Sequence, residues 1–163
     1  MTVVADTSPI CYLALIGQGD LLHRLFGDVL IPDAVHRELA AAGAPEQIRA
    51  WLATRPSWLR VQPVSGPLRP VLDALGAGEA EAITLAQHEG ADLLIIDDRD
   101  ARAIAEQMGL KAVGLLGVLN TAARRGEVDL RTVIGLLQQT SFRASPRLYR
   151  EILKRGPAPL SNS

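Results

Sequence analysis

The chain contains one cysteine, Cys11, in 163 residues. An internal disulfide is excluded, and with it the stapled framework of small secreted domains. Cys11 lies in an apolar stretch and reads as a small core residue. Aromatic residues make up only 4% of the sequence, whereas hydrophobic residues reach 48%. A core of that composition is aliphatic and alanine-rich. No apolar run approaches the ~20 residues of a membrane span. The first residues lack the basic-then-apolar layout of a secretory leader. Three histidines, His23, His36 and His88, stand on separate segments with no cysteine pair near them. Zinc sets need defined ligand spacing, so these histidines read as surface or boundary positions. Neither sign of charge dominates, the formal net charge being −1. Contact with nucleic acid would therefore need a local basic patch. These absences lead us to expect a cytoplasmic globular protein with no membrane partner.

What is present is an alternation of short apolar runs and amphipathic segments. Strands are predicted over 2–6, 28–32, 58–64, 92–96 and 111–115. The prolines in 58–64 place that strand at an edge. Helices are predicted over 8–16, 20–26, 33–42, 45–54, 78–90, 98–109, 116–126, 129–139 and 145–155. Ser8, Asp20 and Asp33 are in position to cap their helices, with Pro9 as a first helical residue. Strands alternating with helices predict an α/β domain on a mostly parallel sheet. Residues 1–155 form one expected domain, and 156–163 an expected flexible tail.

The segment "LLIIDDRD" (93–100) raises the chemical question. Four aliphatics fit a buried strand, and the acids that follow need water, a cation or a metal. In parallel sheets ligands bind beyond the carboxyl ends of the strands. Asp6 follows the first predicted strand, and Asp97 and Asp98 follow the fourth. Glu79 shares a helical stripe with Ala82, Ile83 and Ala86, so it stands at the inward edge of a first helical turn. Glu81 shares its stripe with Leu85 and His88 and reads as flanking. Glu38 follows Ala34 and Val35 by four and three residues, on or beside a buried stripe.

Each acid has a plain structural reading. Asp6 fits a turn, Asp97 or Asp98 a helix N-cap, and Glu38 an ion pair with Arg37 or Arg49. Jointly they make four inward carboxylates, Asp6, Glu38, Glu79 and Asp97, with Asp98 alongside. Like charges so close need a cation, water or a divalent metal. Oxygen-only ligands suit a hard ion, Mg²⁺ or Mn²⁺.

The ordered set resembles a PIN domain. "VVADTSPICYLALIG", "VLIPDAVHREL" and "GEAEAITLAQHEGADLLIIDDRDAR" are similar to the family's successive acidic motifs, with Asp6, Glu38, Glu79 and Asp97 in the four acidic places. Together with "GLLGVL" they resemble most the DUF3368 group of prokaryotic PIN-like proteins, over roughly residues 2–155. Glu79 stands where most PIN domains carry Asp, and Ile95 where many carry Thr.

The resemblance implies a three-layer α/β/α fold and a metal-dependent ribonuclease, possible toxin of a toxin–antitoxin pair. It assigns Asp6 and Asp97 as principal ligands of one or two Mg²⁺ or Mn²⁺ ions. Glu38 and Glu79 would act directly or through water. Asp98 is an alternative to Asp97, and Glu81 to Glu79. Ser8 or Thr7 would bond Asp6 or a substrate phosphate, and Arg99 and Arg102 would contact RNA. The implied partners are RNA, a small antitoxin and a second copy of the chain, the last through aliphatics on the first helices. A basic stretch over 142–155 sets five cations against Glu151, and Arg124 and Arg125 adjoin each other. These fit phosphate contacts or a solvated face. An aspartyl phosphatase would want an acid two residues after Asp6, where Ser8 stands. A receiver domain would want paired acids at the first strand. The rival that remains is a degenerate PIN-like module that binds nucleic acid or protein without cutting.

Overall fold

Three-residue strands made almost wholly of Val, Leu, Ile and Ala build the centre of the molecule. The computed structural model describes residues 1–144 and 146–155. The expected tail, 156–163, lies outside the described residues.

Strands β1 (Val3–Ala5), β2 (Val29–Ile31), β3 (Leu59–Val61), β4 (Leu93–Ile95) and β5 (Ala112–Val113) form one sheet in the order β3-β2-β1-β4-β5. Every pairing is parallel. The strand predicted to be an edge, β3, is one. The helices are α1 (Thr7–Leu15), α2 (Leu21–Phe26), α3 (Asp33–Ala40), α4 (Glu46–Ala53), α5 (Ala77–His88), α6 (Arg99–Gln107), α7 (Leu115–Arg124), α8 (Leu130–Gln138) and α9 (Pro146–Arg155).

The period of two along each strand divides the core. Val3, Ala5, Val29, Ile31, Leu93 and Ile95 face one side, with α1, α2, α7 and α8 packed on them. Val4, Leu94 and Ile96 face the other and meet Ala82, Ile83 and Ala86 of α5 and Ala101 and Ala105 of α6. The result is helices, sheet, helices, a three-layer α/β/α arrangement. The covered faces of β1, β2 and β4 explain why those strands read as unbroken apolar runs.

Two helix starts differ from expectation. Asp6, not Ser8, occupies the cap position of α1, which places Ser8 inside the first turn. Pro32, not Asp33, precedes α3. The backbone turns helical directly after the strand end in each case, so the cap falls one or two residues early. The three histidines are exposed, as expected, with His23 stacked on Trp58 at 5.6 Å. Cys11 is half-buried rather than central. Met1, Val61, Val71, Leu136 and Leu148 are the exposed large apolar side chains among the described residues. None belongs to α1 or α2, whose large apolar side chains are buried or partly buried against the core. No helix of the described residues is long and apolar enough to cross a membrane.

Candidate active site

The strand order fixes where a site belongs. From β1 the chain steps outward through β2 to β3, then returns to the other side of β1 for β4 and β5. The direction reverses between β1 and β4, and a parallel sheet opens a crevice there at the carboxyl ends of its strands. Ala5 pairs with Ile95 across that junction, and Asp6 N–H donates to Ile95 O at 2.9 Å. Asp6 and Asp97 therefore leave adjacent strands at the same edge.

Asp6 is only 4% exposed. Its carboxyl is pushed from 3.8 up to about 7, first by burial and then by the charges of Glu79, Glu38 and Asp97; the Thr7 backbone N–H opposes the rise. Every neighbouring charge that acts on it is negative. Burial also raises Glu79, helped by Asp98 and Glu38 and opposed by the Gly76 N–H. Glu79 is the third residue of α5, the place from which a glutamate reaches back to the cap's N–H.

Glu38 lies at the surface of α3, yet it is tied down at both oxygens. Thr7 Oγ1 donates to Oε2, and Gly78 N–H donates to Oε1 at 3.2 Å. It thus straps α1 and α5 together, and the expected pairing with Arg37 or Arg49 is not formed. Arg37 lies instead 3.8 Å from Glu81. Glu81 also accepts the Ala34 N–H at 3.2 Å, so α5 caps the start of α3.

Asp97 Oδ1 accepts the Leu115 N–H at the start of α7 (2.7 Å), and Ser8 Oγ approaches Oδ2 at 3.4 Å. Burial raises its carboxyl, against the Leu115 and Ser8 donors and the Arg102 charge. Arg102 Nη1 donates to the carbonyls of Asp97 (2.7 Å) and Ile96 (3.4 Å). Asp98 is exposed and caps α6 by accepting the Ala101 N–H at 2.8 Å. Arg99 is exposed on the first turn of α6. Cys11 stands close enough to Glu38 and Asp6 for their charges to add to burial, and its thiol is pushed up to about 11.

The topology thus brings the starts of α1, α5, α6 and α7 to one edge. Helix N-termini favour negative charge, which explains how several acids gather with one arginine among them. No local pattern signals the straps on Glu38, the Leu115 donor or the capping by Glu81. The small residue before Glu79, Gly78, was the available hint for the first.

All-oxygen donors that are partly buried and short of positive charge suit a hard divalent cation in kind. As the side chains are turned, no three acidic, histidine or cysteine groups among the described residues converge closely enough to hold one. Glu38 and Asp97 spend their oxygens on local donors, so binding an ion would require those acids to turn from these donors or share oxygens with them. Among the described residues no side chain donates to Asp6, which is the group an added cation would relieve most.

The sequence profile of DUF3368, described as a PIN domain, matches residues 2–156. The chain belongs to this PIN-domain family. PIN domains usually carry nuclease activity and generally use divalent metal ions. Among solved structures, this PIN domain is similar to a PilT N-terminus domain protein, SSO1118, from the hyperthermophilic archaeon Sulfolobus solfataricus P2. That match covers 89% of this chain and 100% of the other, with a TM-score of 0.51 and 18% identity. At such identity the likeness is one of fold. No curated protein matches the chain as a relative.

Proposed function

We propose that this PIN domain is an endoribonuclease that depends on Mg²⁺ or Mn²⁺. The observation that carries the reading is Asp6, buried at the sheet's reversal point, with Glu38, Glu79 and Asp97 as its charged neighbours and no cation acting on it. Asp6 and Asp97 would be the principal ligands, with Glu38 and Glu79 completing the set directly or through water. A bound ion would neutralise charge at phosphorus and favour a hydroxide-like water.

The chain's own residues supply position. Thr7 and the Gly78 N–H aim Glu38. Ser8 and the Leu115 N–H aim Asp97. Glu38 or Glu79 would orient the attacking water and accept its proton, and a raised carboxyl such as that of Glu79 is the better proton acceptor. Ser8, Arg99 and Arg102 would meet the substrate's phosphates. A toxin role would add a small antitoxin shielding the acidic edge, and a second copy of the chain is a further proposed partner.

The test is cleavage of labelled RNA with and without Mg²⁺ or Mn²⁺. Asp6→Asn and Asp97→Asn should abolish cleavage while circular dichroism shows a retained fold. RNA that binds but is never cut by wild type would replace this reading with that of a non-catalytic binding module.

A further inference from the structure

Beside Asp97 opens a cavity of about 420 Å³, between the turn from β5 into α7 and the segment that leads into α9. This is the size range of small-ligand sites. Its lining is mostly apolar and includes Val113, Leu116, Phe142, Ala144 and Ile152. Phe142 packs edge-on against Tyr12, with ring centroids 5.2 Å apart and planes at 78°. Two arginines, Arg102 and Arg143, line it together with Asp97. Arg102 is tethered through Nη1 to the carboxyl end of β4. Arg143 is exposed and in no ion pair among the described residues. Arg150 and Lys154 add exposed positive charge along α9.

We propose that this cavity is a nucleotide subsite: a base enters the apolar body against Phe142, and its phosphate is held by Arg143 on the way to Asp97. This rests on the nuclease reading and deepens it, since it names where a single nucleotide of the strand is held. A cavity lined mainly by apolar side chains together with arginines matches a nucleotide, whose base has a stacking face and whose phosphate is anionic. A purely apolar occupant would leave Arg143 without a purpose. The pocket lies to the β5 side of Asp97, so a nucleotide seated there would place the adjoining phosphodiester at the sheet's reversal point. The aromatic that serves is Phe142, at the start of the basic stretch; Tyr149, further inside it, is buried in the core.

The experiment titrates the full chain with adenosine, cytidine, guanosine and uridine and with their 5′-monophosphates, in chelator, following backbone amide shifts. At least one nucleoside should shift Val113 and Phe142, with its monophosphate binding more tightly. Ala144→Phe, which fills the cavity, should weaken both about tenfold or more. Arg143→Ala should weaken only the monophosphate, by about tenfold, the scale of one charge-assisted hydrogen bond. In RNA cleavage the same two variants should raise KM and leave the Mn²⁺ affinity unchanged. Wild type that cuts RNA yet binds no nucleoside or monophosphate, or binds them equally in Ala144→Phe, overturns the pocket and leaves the nuclease standing. Nucleotides bound there by a protein that never cuts sustain the pocket and overturn the nuclease. A protein partner that seats in the cavity while nucleotides do not also overturns it.

Discussion

Gly78 leaves the space that Glu38 occupies. A Cβ on Gly78 would lie 2.5 Å from Glu38 Oε2 and 2.9 Å from Oε1. The absent side chain lets the α5 backbone N–H meet the carboxylate of α3 at 3.2 Å. Alanine normally gains up to ~1 kcal/mol over glycine in a helix, yet here it pushes the carboxylate aside. Gly78→Ala should stay within about 1 kcal/mol of wild type by denaturant melts. Its RNA cleavage should fall roughly 10- to 100-fold, the scale for losing a group that orients a metal ligand. Adding the shorter Glu38→Asp in the same chain should recover part of that loss. Unchanged cleavage in Gly78→Ala would remove Glu38 from the site.

The buried acid makes stability depend on pH in an unusual direction. Asp6 titrates near 3.8 unfolded and at about 7 folded, so the native state holds a proton that the unfolded chain has released. Stability from this group is full below the unfolded value and is lost as pH rises toward 7. At 1.36 kcal/mol per unit the loss is on the order of 4 kcal/mol. Glu79 and Asp97 shift in the same direction. In chelator, the melting temperature should fall between pH 5 and pH 8. Asp6→Asn should flatten much of that fall and be the more stable protein at pH 8. A wild-type profile that is flat or rises over this window would contradict the burial of an uncompensated acid.

Why some of this was legible in the sequence follows from what a strand and a helix impose. Asp6 and Asp97 were placed by strand ends, because parallel strands deliver their C-terminal residues to one edge. Glu79 was placed by helical period, which also set Glu81 apart from it. Glu38 was less legible: it is exposed on α3, and its role comes from donors 31 and 40 residues away. No local pattern encodes such contacts. Asp98 stood beside Asp97 as an alternative, and the carboxylates' hydrogen bonds show that Asp98 caps α6 while Asp97 turns toward α7. The pocket beside Asp97 joins β5 to the segment before α9, a meeting that periodicity does not announce.

Glu81 should act on the site at one remove. It caps α3 through Ala34 and pairs with Arg37, and α3 carries Glu38. Glu81→Ala should cost about 1 kcal/mol, as the loss of a helix cap does. Glu81→Gln keeps an acceptor for the Ala34 N–H and should recover most of that stability. If Glu81 positions Glu38, the Mn²⁺ affinity should fall in the alanine variant and return in the glutamine variant. Loss of Mn²⁺ affinity in both would instead make Glu81 a ligand in its own right.

Metal addition tests the whole cluster without any substrate. An ion that binds only the folded state stabilises by RT ln(1 + [L]/Kd), about 2.7 kcal/mol at a hundredfold excess over Kd. For a domain of this size that is a rise of roughly 5 to 10 °C in Tm. The gain should be larger at pH 8 than at pH 5, because ions bind ionised carboxylates and Asp6 is largely protonated below about 7. Asp97→Asn should lose most of the rise, and EDTA should reverse it in wild type. Asp98→Asn should lose little, since that side chain is engaged with the start of α6. The reverse ranking, with Asp98 decisive and Asp97 dispensable, would move the site from the junction of β1 and β4 to the start of α6. A Tm that ignores Mg²⁺ and Mn²⁺ at every pH would leave the acids in structural roles alone, such as the cap by Asp98 and the strap by Glu38.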